Sequence, residues 1–568
     1  MAHDLVVRNG TVIDGSGMPR YRADIGVSGG RIVEIGRIRE RGREELDADG
    51  HVVAPGFIDG HTHMDAQVSW DPLGTCSCWH GITTVVMGNC GFTLAPARRD
   101  QKQLVMWNLE RAEDISAEAM EAGIDWTWET FAEYLDAVDG LPKGINYSAY
   151  VGHSALRTYA MGERAFDQAA SADDIAAMQR ELANALRAGA MGFTTSRTRN
   201  HQTPDGRPVA SRLADWQEVR ALVGTLGELG AGIFEIANED TGQDPERVRD
   251  YLARLRDLAL ESGRPVTWGM FSSRRAPDYW RPYFALLEET ASLGGRMFAQ
   301  VHSRSLNLLL SFETRLPFDR LPVWREIRKR PLGEQKAALS DPAIRQRLVE
   351  AAAALEPSPV AIGAEPRTPD YEWTFLMEDA VGPHRSIAAI ARERGCQPVA
   401  AMIDLALERE LRCFFLQPLA NENSEHVLAM MKHPHAVVTF SDSGAHVSQI
   451  MDSSLQTHVL AYWVRERQAL SLEEAVRMLT LVPATQWGFW DRGLLRPGFA
   501  ADLVVFDPER VRPLLPEVTH DLPAGARRLR QKATGIAATV VNGKVLLRDG
   551  EHTGALPGKL LRGPLARA

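Results

Sequence analysis

Two histidines one residue apart, His61 and His63, close the apolar run Phe57-Ile58-Asp59-Gly60-His61-Thr62-His63. Along an extended chain alternate side chains share a face, so both imidazoles aim at one point while Thr62 faces away. Two neutral imidazoles converging in this way begin a site for a divalent metal. Other side chains capable of chemistry fall at the ends of later apolar runs. They are Cys90, His153, Ser196 with Arg197, Glu235, Met270, His302 and Asp442.

Such residues need a scaffold that gathers strand ends. Eight apolar segments end in polar residues, at 52–63, 82–90, 145–154, 190–196, 232–238, 265–272, 296–303 and 436–443. Helical patterns fill several of the gaps, at 171–188, 215–230 and 245–262. Alternating units in this number predict an α/β fold, a TIM-like (β/α)8 barrel with its active site at the C-terminal ends of the strands. The gap at 304–435 is too long for one crossover and reads as an insertion that covers or shapes the pocket. Within it, 334–355 reads as a helical run. Short strands and tight turns fill the first 54 residues and return near the C-terminus, where Asn542-Gly543 marks a turn. Neither piece alone buries enough surface to be stable, so the two termini together predict one small β-sandwich. The expected division is 1–54 β-sandwich, 55–480 barrel with its insertion, and 481–568 β-sandwich.

The 568 residues are 44% hydrophobic and 24% charged, ordinary values for a soluble globular protein. The formal net charge of -10 argues against nucleic acid, because phosphate contacts need a basic surface. The basic run Arg527-Arg528-Leu529-Arg530-Gln531-Lys532 reads as solvated surface. Cys76, Cys78, Cys90, Cys396 and Cys413 are too few and too irregular for a disulfide framework. No secretory signal opens the sequence, and no uninterrupted apolar stretch of about 18 residues appears. A cytoplasmic protein with a small-molecule substrate is expected, without nucleic-acid or membrane partners and with homo-oligomers allowed.

Several stretches together carry a family resemblance. They are Pro55-Gly56-Phe57 through His63, Gly81-Ile82-Thr83 through Gly91, Gly152-His153-Ser154-Ala155-Leu156-Arg157, and Ala188-Gly189-Ala190-Met191-Gly192-Phe193. The C-terminal block from Ser471 to Asp491-Arg492-Gly493 and Ala501-Asp502-Leu503-Val504 adds to them. This pattern resembles the amidohydrolase superfamily, and within it the N-acyl-D-amino-acid deacylase (D-aminoacylase) branch. The resemblance implies a zinc hydrolase with a barrel and a small β-sandwich. His61 and His63 match the metal histidines of the first strand, Cys90 a thiolate ligand able to bridge two metal positions, and Asp442 the eighth-strand aspartate. Zinc takes these three donor types and lowers the pKa of bound water to about 7. The implied reaction is cleavage of an amide C–N bond in an N-acylated small molecule by zinc-bound hydroxide. Asp442 would take the water proton and return it to the leaving amine.

Some positions depart from the family. Its fifth and sixth strands each supply a zinc histidine, where Glu235 and Met270 stand here. Glu235 can ligate through oxygen, but a neutral thioether is a poor zinc ligand. One Zn2+ held by His61, His63, Cys90 and Asp442, with help from Glu235, is expected rather than two. The family's His-Pro-Arg stretch, whose arginine clamps the substrate carboxylate, is also missing. Either Arg157, Arg197 or Arg304 replaces that arginine, with His153 and His302 completing the expected substrate-binding set, or the substrate is not an N-acyl-D-amino acid. Two other readings stay open: a metal barrel that runs retro-aldol or lactone cleavage, and a non-catalytic scaffold.

Overall fold

A computed structural model describes residues 3–242, 244–356 and 367–566. Each of the eight expected segments contains a parallel strand. The first three, Phe57–Asp59, Ile82–Met87 and Asn146–Ala149, pair in sequence order. A second arc runs Val151–Gly152, Gly192–Ser196, Ile233–Ala237, Val266–Met270, Met297–Val301 and Ala436–Val438. Only Tyr150 separates the two arcs at the third strand. At the other seam, His63 N–H donates to the Ser443 carbonyl at 2.8 Å and Gly60 N–H to Thr439 Oγ1 at 2.7 Å. The strands are almost wholly buried, as parallel strands covered on both faces must be.

Helices cover the outer face in chain order. His153–Met161 packs on Ala172–Ala188, which packs on Trp216–Glu228, then Pro245–Ser262 and Arg281–Ser292 follow. Local chemistry sets their starts. Ser171 and Asp174 form a capping box, while Asp215 and Asp244 accept N–H groups of the first turn.

Strands from both termini hydrogen-bond into one nine-stranded sheet. Leu5–Val12 pairs through its first half with Glu44–Asp47 and through its second half with Val52–Pro55, and its register against Tyr21–Ser28 shifts between Val7 and Gly10. The sheet closes on a hydrophobic core of its own. That core includes Leu5, Ile25, Val53, Leu503 and Val540. The segment at 52–63 therefore splits at Gly56, where a Cβ would lie 2.2 Å from Thr83 Oγ1. Val52–Pro55 joins the terminal sheet, and Phe57–Asp59 begins the parallel set.

The insertion has a core of its own, including Phe312, Trp324, Leu348, Ile403 and Phe415. The helical run at 334–355 is two helices, Leu332–Ser340 and Pro342–Ala353. Pro342 has no N–H to continue the first helix, and Asp341 caps the second. Leu306–Leu310 and Phe415–Ala420 form an antiparallel ribbon that stands over the strand ends.

Candidate metal centre

Short-range geometry brings the donors together. Asn89 Nδ2 donates to the carbonyls of Thr62 at 3.1 Å and Val86 at 3.0 Å, fixing the Cys90 turn to the His-Thr-His segment. Gly444, at φ 96°, passes so near the His63 backbone that a Cβ would meet the His63 carbonyl oxygen at 2.5 Å. As a result one donor atom each from His61, His63 and Cys90 lies within 4.8 Å of the other two. Cys90 Sγ is 3.5 Å from His61 Nε2. Asp442 Oδ1 is 3.3 Å from His61 Nε2 and 3.5 Å from His63 Nε2. Cys90 at φ 54° and Asp442 at φ 50° both occupy the left-handed region, which few non-glycine residues adopt.

The outer nitrogen of His61 is hydrogen-bonded, while that of His63 lies near a carboxyl group without a formed hydrogen bond. His61 Nδ1 meets Gln300 Oε1 at 2.6 Å, and Gln300 in turn donates to Thr267. With its proton given to Gln300, His61 presents the Nε2 lone pair to Asp442 and Cys90. His63 Nδ1 stands 3.2 Å from Glu113 Oε1, a carboxylate from the helix Lys102–Glu113. Glu235 accepts the Cys90 backbone N–H at 2.8 Å, and its other oxygen is 4.0 Å from the sulfur.

The electrostatics fit a cation. Burial would raise Asp442, but the His61 and His63 rings hold it well below the ordinary carboxylate range. Burial, with the Glu235 and Asp442 charges added, pushes the Cys90 thiol well above its usual value. Glu235 rises to about 7, chiefly through burial. Glu113 is pushed well up for the same reason, with Asp442 and Asp65 adding to it. Asp442 Oδ1 and Glu113 Oε2 are buried without a hydrogen bond. Lone pairs and buried acids facing one void are unstable as neighbours, and a zinc-class ion with two imidazoles, a thiolate and a carboxylate resolves the conflict.

The donors line one end of a cavity of about 460 Å3. His201, His446, Phe440 and Tyr279 contribute to its walls, and Met270 lies on its floor. Phe440 stacks on His61 with ring centroids 3.8 Å apart. The insertion's ribbon supplies a wall through Leu306, Leu308 and Leu419. The alternate residues Asn307 and Leu309 turn instead to a separate cavity of about 430 Å3. Arg367, also from the insertion, lines the metal-side cavity, and its buried Nε has no hydrogen-bond partner. Sequence reasoning did not single out Glu113, Gln300, His201 or Arg367. Glu113 had a legible signal, since it extends the buried stripe of Val105, Leu109 and Ala112.

The four residues expected to bind substrate lie elsewhere. His153 is fully buried between Thr195 Oγ1 and Glu218 Oε1, each at 2.8 Å. Arg157, also fully buried, pairs with the same Glu218 and donates to the Gln168 carbonyl at 2.8 Å. Both side chains turn into the helix layer because Glu218, buried on Trp216–Glu228, needs two partners. Arg197 is engaged by Glu239 Oε1 at 3.2 Å, and Glu239 rather than Arg197 lines the cavity. His302 is fully buried, with Nδ1 at 2.9 Å from the Arg304 carbonyl. Arg304 is spent on Asp452 at 2.7 Å and faces the separate cavity. Arg157→Met should therefore act on stability. Leaving Glu218 buried without its guanidinium is expected to cost about 3–5 kcal/mol. Urea unfolding measures this loss, and an unchanged midpoint would refute it.

A model of the amidohydrolase family matches residues 44–547. An uncharacterised protein of Mycobacterium tuberculosis is 30% identical over 98% of this chain and 93% of its own length. The N-acyl-D-aspartate deacylase of Alcaligenes xylosoxydans xylosoxydans is 29% identical over 98% of this chain and 95% of its own. Among solved structures, the N-acyl-D-glutamate deacylase of Bordetella bronchiseptica, complexed with zinc and a phosphonate inhibitor, superposes with a TM-score of 0.66. It is 25% identical and covers 99% of this chain and 100% of its own. Among the described residues, no helix is long and apolar enough to cross a membrane.

Proposed function

The chain belongs to the amidohydrolase family, and from that membership we propose a one-zinc deacylase of N-acylated D-amino acids, built on a (β/α)8 barrel. It is a hydrolase of amide C–N bonds other than peptide bonds. The observation that carries the finer reading is the convergence of His61 Nε2, His63 Nε2, Cys90 Sγ and Asp442 Oδ1 on one buried point. Zinc held there supplies Lewis acidity for the carbonyl and a water of pKa about 7. One ion fits better than two, because Glu235 is engaged by the Cys90 N–H and Met270 offers only a thioether.

The chain's own residues do the rest. Asp442 Oδ1 stands beside both imidazole nitrogens at the reacting centre, so it is the group placed to take the proton of the attacking water and deliver it to the leaving nitrogen. Gln300 holds the His61 ring in orientation, and Glu113, 3.2 Å from His63 Nδ1, is placed to orient the second. Arg367 replaces the three arginines named from the sequence as the clamp for the substrate carboxylate, since it lines the cavity and pairs with no carboxylate among the described residues. Leu306, Leu308 and Leu419 give the acyl group an apolar wall.

The test is turnover of N-acetyl-D-aspartate, N-acetyl-D-glutamate and apolar N-acyl-D-amino acids beside their L enantiomers. Free amino acid should appear from the D series, disappear with a chelator and return with zinc. Full activity after chelation, or cleavage of lactones and β-hydroxy ketones with no amide turnover, would sink this reading.

A further inference from the structure

The basic run at 527–532 has no part in the amide chemistry, yet Arg527 reaches a cleft of about 470 Å3 between the insertion and the C-terminal segment. Arg315, Arg325, Arg328, Lys329, Arg330 and Arg527 line it, against the two carboxylates Glu313 and Asp319. On a chain of net charge -10 such a wall stands apart from its surroundings. Three of the cations are already matched. Arg315 meets Asp114 at 2.9 Å, Arg328 meets Asp319 at 2.8 Å, and Arg330 meets Glu326 at 3.2 Å. Arg328 also donates to Gln335 Oε1 at 2.8 Å and the Thr314 carbonyl at 3.0 Å, so it shapes the wall.

Arg325, Lys329 and Arg527 make no ion pair among the described residues. Arg325 reaches only the Arg320 carbonyl at 2.9 Å, and Arg527 only the Glu313 carbonyl at 3.1 Å. Burial, with Arg315 and Arg328 close by, holds Arg527 below its ordinary pKa although the Asp114 and Asp319 charges oppose the shift. Thr314 lines the same cleft at 2% exposure with its hydroxyl unbonded. Pro331 and Leu332, also in the lining, begin the helix Leu332–Ser340, whose first N–H groups add partial positive charge.

We propose that this cleft binds a small polyanion with at least two phosphate groups, such as pyrophosphate or a nucleoside diphosphate. Three unmatched cations, a buried hydroxyl and a helix N-terminus suit an ion with many acceptor oxygens and a charge near three. The volume admits a nucleotide-sized molecule. A nucleic-acid strand would extend beyond the cleft, and the chain's net charge of -10 disfavours it.

Calorimetric titration of the full-length, zinc-loaded chain with pyrophosphate tests the assignment. Saturable binding that weakens with salt is expected, and Arg527→Gln and Lys329→Met should each lose about tenfold in affinity. Lys329 is exposed, so its replacement separates lost binding from lost structure. Absence of saturable heat overturns the proposal. So does unchanged affinity in both variants, which would place the phosphate at the zinc centre, or tighter binding of a single-stranded RNA oligomer than of pyrophosphate.

Discussion

Cys90→Ser should strip zinc from the chain and lower amide turnover by at least about a thousandfold, as activation of water and polarisation of the carbonyl are lost together. Serine keeps the size and can keep the turn, because the backbone N–H of residue 90 still reaches Glu235. What changes is the donor. A thiol is made a thiolate by a cation, and the pair then forms a strong bond; a serine hydroxyl stays protonated and neutral. His61 and His63 alone leave the ion with two imidazoles and the Asp442 carboxylate. Metal content by mass spectrometry after dialysis should fall from about one zinc per chain to below about a tenth, since losing even an outer partner of a ligand costs 10–100-fold in affinity. Circular dichroism of the variant should match the parent. Stoichiometric zinc together with parental turnover in Cys90→Ser would remove the thiolate from the mechanism.

What could be read from the sequence divides along a physical line. His61, His63, Cys90 and Asp442 sit on the chain within a few residues of strand ends, so strand order alone brings them to one place. Their positions followed from periodicity and local motif. His153, Arg157, Arg197 and His302 also sit near strand ends, but there the direction of the side chain decides. That direction was set by distant partners, Glu218 on a neighbouring helix for His153 and Arg157, and Glu239 for Arg197. No one-dimensional pattern announces such a partner. The terminal sheet shows the same division. Its strands were legible as short apolar runs with turns, whereas the midway change of partner by Leu5–Val12 is a long-range pairing that no local pattern announces. Arg367 was hidden for a different reason: its role depends on the insertion folding back to the cavity, and the insertion has its own core.

Asp442→Asn separates holding the metal from moving the proton. The asparagine keeps the shape and one carbonyl oxygen, so the left-handed turn at φ 50° is retained, a conformation Asn tolerates well. His61, His63 and Cys90 remain, and they should keep most of the zinc. The amide oxygen cannot accept a proton at neutral pH, so kcat should fall by about 10^2–10^4, the range for loss of a positioned acid–base group. KM should move little, because Arg367 and the leucine wall are untouched. Glu235→Gln is the necessary companion, since Glu235 is the other buried carboxylate within reach of the sulfur. If Asp442 carries the proton, Glu235→Gln keeps most of the turnover, because the glutamine amide oxygen still accepts the Cys90 N–H and only the negative charge is lost. Were Asp442→Asn to retain kcat while Glu235→Gln lost it, the proton would belong to the fifth strand. The eighth-strand aspartate would then serve only as a ligand.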